Sequence, residues 1–150
     1  MAVDLYAVHQ AVCDIITASQ PGTRVYPSYR DGLSPPCIVV VGDPDTYVTM
    51  EQAMRQGTVQ VNVVLLLLAG SNDRAGQEQI MRWLSVGAGQ PESLANALAP
   101  GAPPDRTLGG VVDSFRFGGT RYATAVEYPA GSGTFFALGE LELQTHLTGG

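Results

Sequence analysis

His9 and Cys13 stand four residues apart in the segment AVHQAVCD, a spacing that lets both side chains share one flank of a helix. A thiol beside an imidazole can become an activated nucleophile. No orienting Asn or Asp is identifiable with them, so the pair is expected on the partly exposed flank of that helix, without a catalytic role. Glu140 and Glu142 fall on one face of an alternating segment. Paired carboxylates can do acid–base work, but here they read as a solvated strand face, or as an acidic lining if they border a pore. Asp43 and Asp45 flank Pro44 in a turn, with no further run of ligands that would make a cation site. Lysine is absent, which excludes a P-loop. Gly109-Gly110 and Gly118-Gly119 precede strands and read as turns. Gly131-Ser132-Gly133 reads as a hairpin tip rather than a nucleophile elbow. Cys13 and Cys37 are the only cysteines and make no zinc motif. Two buried free thiols are expected, with one disulfide between them as the alternative. No catalytic residue, cofactor or metal is expected.

These groups sit in a chain of 150 residues, enough for one domain with a real core. Hydrophobic residues make up 45%, which argues against wholesale disorder. The formal charge is −6, unsuited to tight nucleic-acid binding. All eight basic residues are arginine, a usage that suits protein interfaces and is equally what a GC-rich genome produces. The N-terminal MAVDLYAVHQ lacks a basic segment followed by an apolar run, so no secretion signal is expected. The apolar run ending at Ala69 is far shorter than the roughly 20 residues of a membrane helix. A soluble intracellular protein is the expectation.

The longest apolar segment, VQVNVVLLLLA (59–69), is a strand by its period of two. Val59, Val61, Val63, Leu65 and Leu67 share one face. Gln60 and Asn62, then Val64, Leu66 and Leu68, occupy the other. Helices on one side of a sheet cover only one face, so the far half of the second face calls for another cover, and a neighbouring subunit is the expected one. Residues 3–19 read as a helix with Leu5, Val8, Val12 and Ile15 as its stripe, stopped by Pro21-Gly22. Short strands follow at 24–29 and 38–41. Residues 42–57 read as a protruding loop or extended hairpin. A second helix begins near Ser71-Asn72-Asp73, each a candidate cap; it carries Ile80, Trp83 and Leu84 inward and Arg74, Glu78 and Arg82 as an exposed ladder. Pro91 is the expected first residue of a short third helix, with Leu94 and Leu98 inward. Three strands close the chain: 111–117 with Val111, Phe115 and Phe117 aligned, 121–128 with Tyr122, Val126 and Tyr128 aligned, and 134–147. In the last, Leu141, Leu143 and Leu147 oppose Glu140, Glu142, Gln144 and His146. If 59–68 and 134–147 are antiparallel neighbours, Val64–Leu68 should meet Phe135–Leu138 in one apolar patch. The fold class is α+β: a single domain with a mainly antiparallel sheet and helices on one face.

This order of elements resembles the tail terminator (tail completion) proteins of long-tailed phages, of the siphophage type that infects actinobacteria. The passages that carry the resemblance are TVQVNVVLLLLA followed by AGQEQIMRWLS, the short helix in GQPESLANALA, and DRTLGG leading into VVDSFRF. The closing hairpin with its alternating strand fits as well. The likeness is one of pattern and order over nearly the whole chain.

The resemblance implies a ring of six identical subunits that caps the tail tube, stops polymerisation of the major tail protein and presents a surface to the head connector. Genomic DNA would pass through the lumen without specific binding, which a negative charge favours. The implied location is the virion, at the head–tail junction, after assembly in the host cytoplasm, with no membrane partner. Such a ring closes through repeated heterologous contacts. Val64, Leu66, Leu68, Phe136 and Leu138 are the expected subunit interface, Arg55, Arg116 and Arg121 the expected polar contacts between subunits or onto the tube, and Glu140 and Glu142 the expected acidic rim of the lumen. The competing expectations are a neck or head-completion adaptor and, further off, a small enzyme or ligand-binding domain.

Overall fold

Five strands pair in the order β1-β2-β3-β5-β4, with β3, apolar on one face throughout and on both faces in its second half, at the centre. The computed structural model describes residues 4–28, 33–49, 58–71, 73–127 and 130–148. The strands are β1 (Arg24–Tyr26), β2 (Cys37–Gly42), β3 (Thr58–Leu68), β4 (Ser114–Glu127) and β5 (Phe135–Thr148). Among the described strands β1 and β2 run parallel and the other pairings are antiparallel. Three helices are described: α1 (Leu5–Ser19), α2 (Arg74–Leu84) and α3 (Leu94–Leu98). The chain is a single α+β domain with a mixed sheet.

Each helix starts on a side-chain cap. Asp4 accepts from the Ala7 N–H, Asp73 from Gly76 and Ser93 from Asn96, which satisfies backbone donors that the first turn leaves open. Capping by Ser93 puts Pro91 ahead of the third helix rather than in it. Arg74 pairs with Glu78 at 2.9 Å, but Arg82 turns away to Glu92 at 2.7 Å, so the expected ladder is one rung long.

All three helices pack on one face of the sheet. Val8, Val12 and Ile16 of α1, Ile80 and Trp83 of α2, and Leu94 and Leu98 of α3 join Ile38, Val40, Val59, Val61, Val63, Leu65, Leu67, Leu141 and Leu143 in one core. Along β5 the odd-numbered residues from 137 to 147 are buried and the even ones half-buried, the alternation that a one-sided cover imposes. Buried Thr145 is satisfied by donating to the Val61 carbonyl at 2.8 Å. The DRTLGG passage folds into a tight turn. Asp105 accepts from the Thr107 N–H and hydroxyl, and the Thr107 carbonyl accepts from Gly110 and Val112. Leu108 takes a left-handed conformation, φ 50°, and is buried; core burial offsets the roughly 1–2 kcal/mol such a backbone costs.

The first two of the three closing strands expected from the sequence, 111–117 and 121–128, are one strand. Residues 114–127 form one strand, and Gly118-Gly119 is a bulge within it, at a register shift between Phe117 and Thr120. The pair is no turn because β5 runs on as a partner on both sides of it. Val111 lies before the strand and is exposed; Val112 fills the core instead. A second shift between Ala123 and Val126 breaks the expected alignment of the 121–128 segment; Tyr128 lies outside the described residues.

Candidate functional site

The face opposite the helices, here the outer face, carries the residues that the sequence singled out. β3 and β5 are antiparallel neighbours over eleven paired positions. Their register places Leu68 opposite Leu138, Leu66 opposite Glu140 and Val64 opposite Glu142. Phe136 pairs across to Val126 of β4. The apolar ends therefore meet only at Leu68 and Leu138, and the two glutamates stand directly beside Leu66 and Val64. The residues expected at a subunit interface and those expected at a lumen rim belong to one surface.

Part of that surface is already covered within the chain. Leu33, Cys37, Val39 and Leu68 form a second, smaller core, with Tyr26, Val41, Leu66 and Leu138 packed at its edge. Val64 and Leu68 retain 9% and 6% of their exposure, so they have little left to bury against a neighbour. Leu66, Phe136 and Leu138 are half-buried and keep part of their apolar surface open. The intramolecular cover comes from the segment leading into β2, whose Leu33 gave no periodic signal in the sequence.

Beside this patch lies a cleft of about 690 Å³. Val41, Val64 and Leu66 contribute its apolar part, Asp43, Pro44 and Asp45 one side, Gly119 and Thr120 the other, and Arg121, Glu140 and Glu142 its charged part. The Asp43 side is a bend where β2 leaves its ladder. The Asp43 N–H donates to the Asn62 carbonyl, Asn62 N–H to Tyr47, and Val48 bridges to Val61. Asp43 Oδ1 accepts from the Asp45 and Thr46 N–H groups, which shapes the turn. Gly42 is needed there, because a Cβ would meet the Tyr47 ring at 2.7 Å. Residues 43–49 thus fold back along β3; the remainder of the expected 42–57 loop, with Arg55, lies outside the described residues. On the other side, Arg121 Nε is 4.0 Å from Glu140 Oε2. Gln144 donates to Glu142, and Arg116 donates to Gln144.

His9 and Cys13 are buried, not on an exposed flank: His9 is 7% exposed and Cys13 3%. The helix stripe is wider than Leu5, Val8, Val12 and Ile15 suggest, because Tyr47 reaches across to α1. His9 Nδ1 lies 2.7 Å from the Pro27 carbonyl and 3.2 Å from that of Val40, and Nε2 lies 2.7 Å from the Tyr47 hydroxyl. A neutral ring with its proton on Nδ1 donates to the carbonyls and accepts from Tyr47. The imidazole ties α1 to β2 and to the 43–49 bend. Both cysteines are free and buried. Burial, with Asp14 adding to it, pushes the Cys13 thiol up to about 12, which opposes nucleophilic use at neutral pH.

The buried thiol makes the fold sensitive to alkali. Below pH 9, the ordinary value, Cys13 is protonated in folded and unfolded chains alike. Between pH 9 and about 12 the unfolded chain releases the proton and the folded chain keeps it, so stability is lost as pH rises. Tyr47, also raised by burial, acts in the same direction. Melting temperature should fall more steeply across this window in the wild type than in Cys13→Ala. Equal slopes in thermal melts would refute the coupling.

Among the described residues no group of three His, Cys, Asp or Glu is placed to hold a metal, and no helix is long and apolar enough to cross a membrane. No protein-family model matches the chain, and a search of curated proteins finds no significant relative.

Proposed function

We propose that this chain is a structural virion subunit, a tail terminator. Its copies close into a ring, with six as the number the resemblance implies, on the end of the tail tube. The ring stops polymerisation of the tube protein and receives the head connector, and DNA passes through it. The observation that carries this reading is the outer sheet face: a half-open apolar strip of Leu66, Phe136 and Leu138 with a charged cleft beside it, while every described helix packs on the opposite side. Burying a Leu or Phe side chain fully yields about 1.5–3 kcal/mol. Each of these three is half-buried already, so each contact gains a fraction of that, set against the freedom lost on association. Many weak identical contacts that close on a template fit such energetics. The chemistry-bearing side chains support the same reading, because His9 and Cys13 are committed to packing.

The test is electron microscopy of tails assembled with and without the chain. Tails of one length in its presence and of uncontrolled length in its absence are expected. Unchanged length control without it overturns the reading, and capture of portal or neck protein instead of tube protein would place it in the neck.

A further inference from the structure

We propose that the outer-face cleft seats an arginine of a second copy of this chain, so that its acidic groups lie at the seam between copies and not in the lumen. This rests on the ring reading above and names the contact that would join its subunits. Three observations converge on it.

The first is shape. The cleft is a concavity of about 690 Å³ with Val41, Val64 and Leu66 among its walls. It has room for a side chain with an apolar stem and a charged end. An arginine stem covers apolar surface while its planar fork makes paired bonds to carboxylates.

The second is charge. Asp43, Asp45, Glu140 and Glu142 border the cleft, and among the described residues Arg121 is the one cation that lines it. Four carboxylates against one guanidinium make the described lining three charges negative. The one ion pair among its described residues is loose, at 4.0 Å, and its arginine is largely exposed. Among the described residues, space and carboxylate charge without an ion-pair partner remain for a second guanidinium.

The third is supply. Every cation of the chain is an arginine. Among the described residues Arg74, Arg82 and Arg121 have carboxylate partners. Arg24 instead donates to the Ser34 carbonyl, Arg106 lies over the Phe117 ring at 5.7 Å, and Arg116 donates to Gln144. Arg116 stands on the cleft's own face. Arg24, on the far edge strand, and Arg106, in the turn ahead of β4, present the complementary charge elsewhere on the molecule. An acceptor on one surface and a donor on another make a heterologous contact, the kind that builds rings. Continuing the sheet through β4, the long edge, is the less suited contact: two register shifts and Arg116 and Arg121 interrupt that strand, and such features protect an edge from pairing.

The test is sedimentation of the full-length chain, alone and on tail tubes made without it, at low and high salt. Glu140→Arg with Glu142→Arg should weaken copy-to-copy assembly about tenfold or more, and high salt should weaken the wild type in the same direction. Glu140→Gln with Glu142→Gln, which preserves shape, should give a smaller loss, and thermal melts show that each variant folds. Adding Arg24→Glu or Arg106→Glu to the Arg variant should restore assembly for the donor that enters the cleft. Full assembly of the Arg variant, or no restoration by either swap, overturns the seam while leaving the ring standing. Failure of the wild type to assemble in solution and on tubes overturns the ring reading itself.

Discussion

Trp83→Ala should cost about 3–5 kcal/mol of folding free energy, measured as a lower midpoint in urea unfolding with little change in slope. Trp83 is fully buried between α2 and the sheet, and it is the largest side chain in the core. Its indole N–H donates to Gln20 Oε1 at 3.0 Å, and Gln20 Nε2 donates to the Glu92 carbonyl at 2.9 Å. One glutamine at the end of α1 thus links α2 to the entry of α3, and the indole holds it. Trp83→Phe keeps most of the packing and removes the bond, so it should cost less, with about 1 kcal/mol of it from the hydrogen bond. If Trp83→Ala unfolds at the wild-type midpoint, the helices are not anchored as described.

Gly76→Ala should also destabilise, by about 1–3 kcal/mol or more, although alanine at an open helix position stabilises by about 1 kcal/mol relative to glycine. The sign reverses because a Cβ on Gly76 would sit 1.9 Å from the Ser71 carbonyl oxygen. That oxygen accepts from the Ala137 N–H of β5 at 3.1 Å. The carbonyl cannot move aside without breaking a bond between the β3–α2 connection and the sheet. A melting temperature at or above the wild type's would show that the connection yields freely. The same close approach lets Asp73 cap the helix, with Ser71 and the Gly76 N–H holding its carboxyl below the usual carboxylate range.

The elements that could be read from the chain are those whose signal is local. The alternation of β5 from Ala137 to Leu147 is a period of two in consecutive residues, and the Asp73 cap stands beside the helix it starts. The inward faces of α2 and α3 follow in the same way from Ile80, Trp83, Leu94 and Leu98. Gly118-Gly119 reads as a turn and is a bulge, for the opposite reason: two glycines make one or the other according to whether a partner strand continues past them, and the partner lies more than twenty residues further on. His9 looked half-exposed because Tyr47, which buries it, belongs to a bend that no helical period reveals.

The chain alone determined the α+β composition, the inward face of Val59–Leu67 and the side of β5 that faces the core, because side-chain alternation and capping act over a few residues. Tertiary structure decided the register that sets Leu66 beside Glu140 and Val64 beside Glu142, the cover that Leu33 lends to Leu68, and the joining of Asp43, Arg121 and Glu142 around one cleft. Those outcomes depend on which distant backbone groups pair, and a slip along a strand changes every neighbour while leaving the local pattern intact.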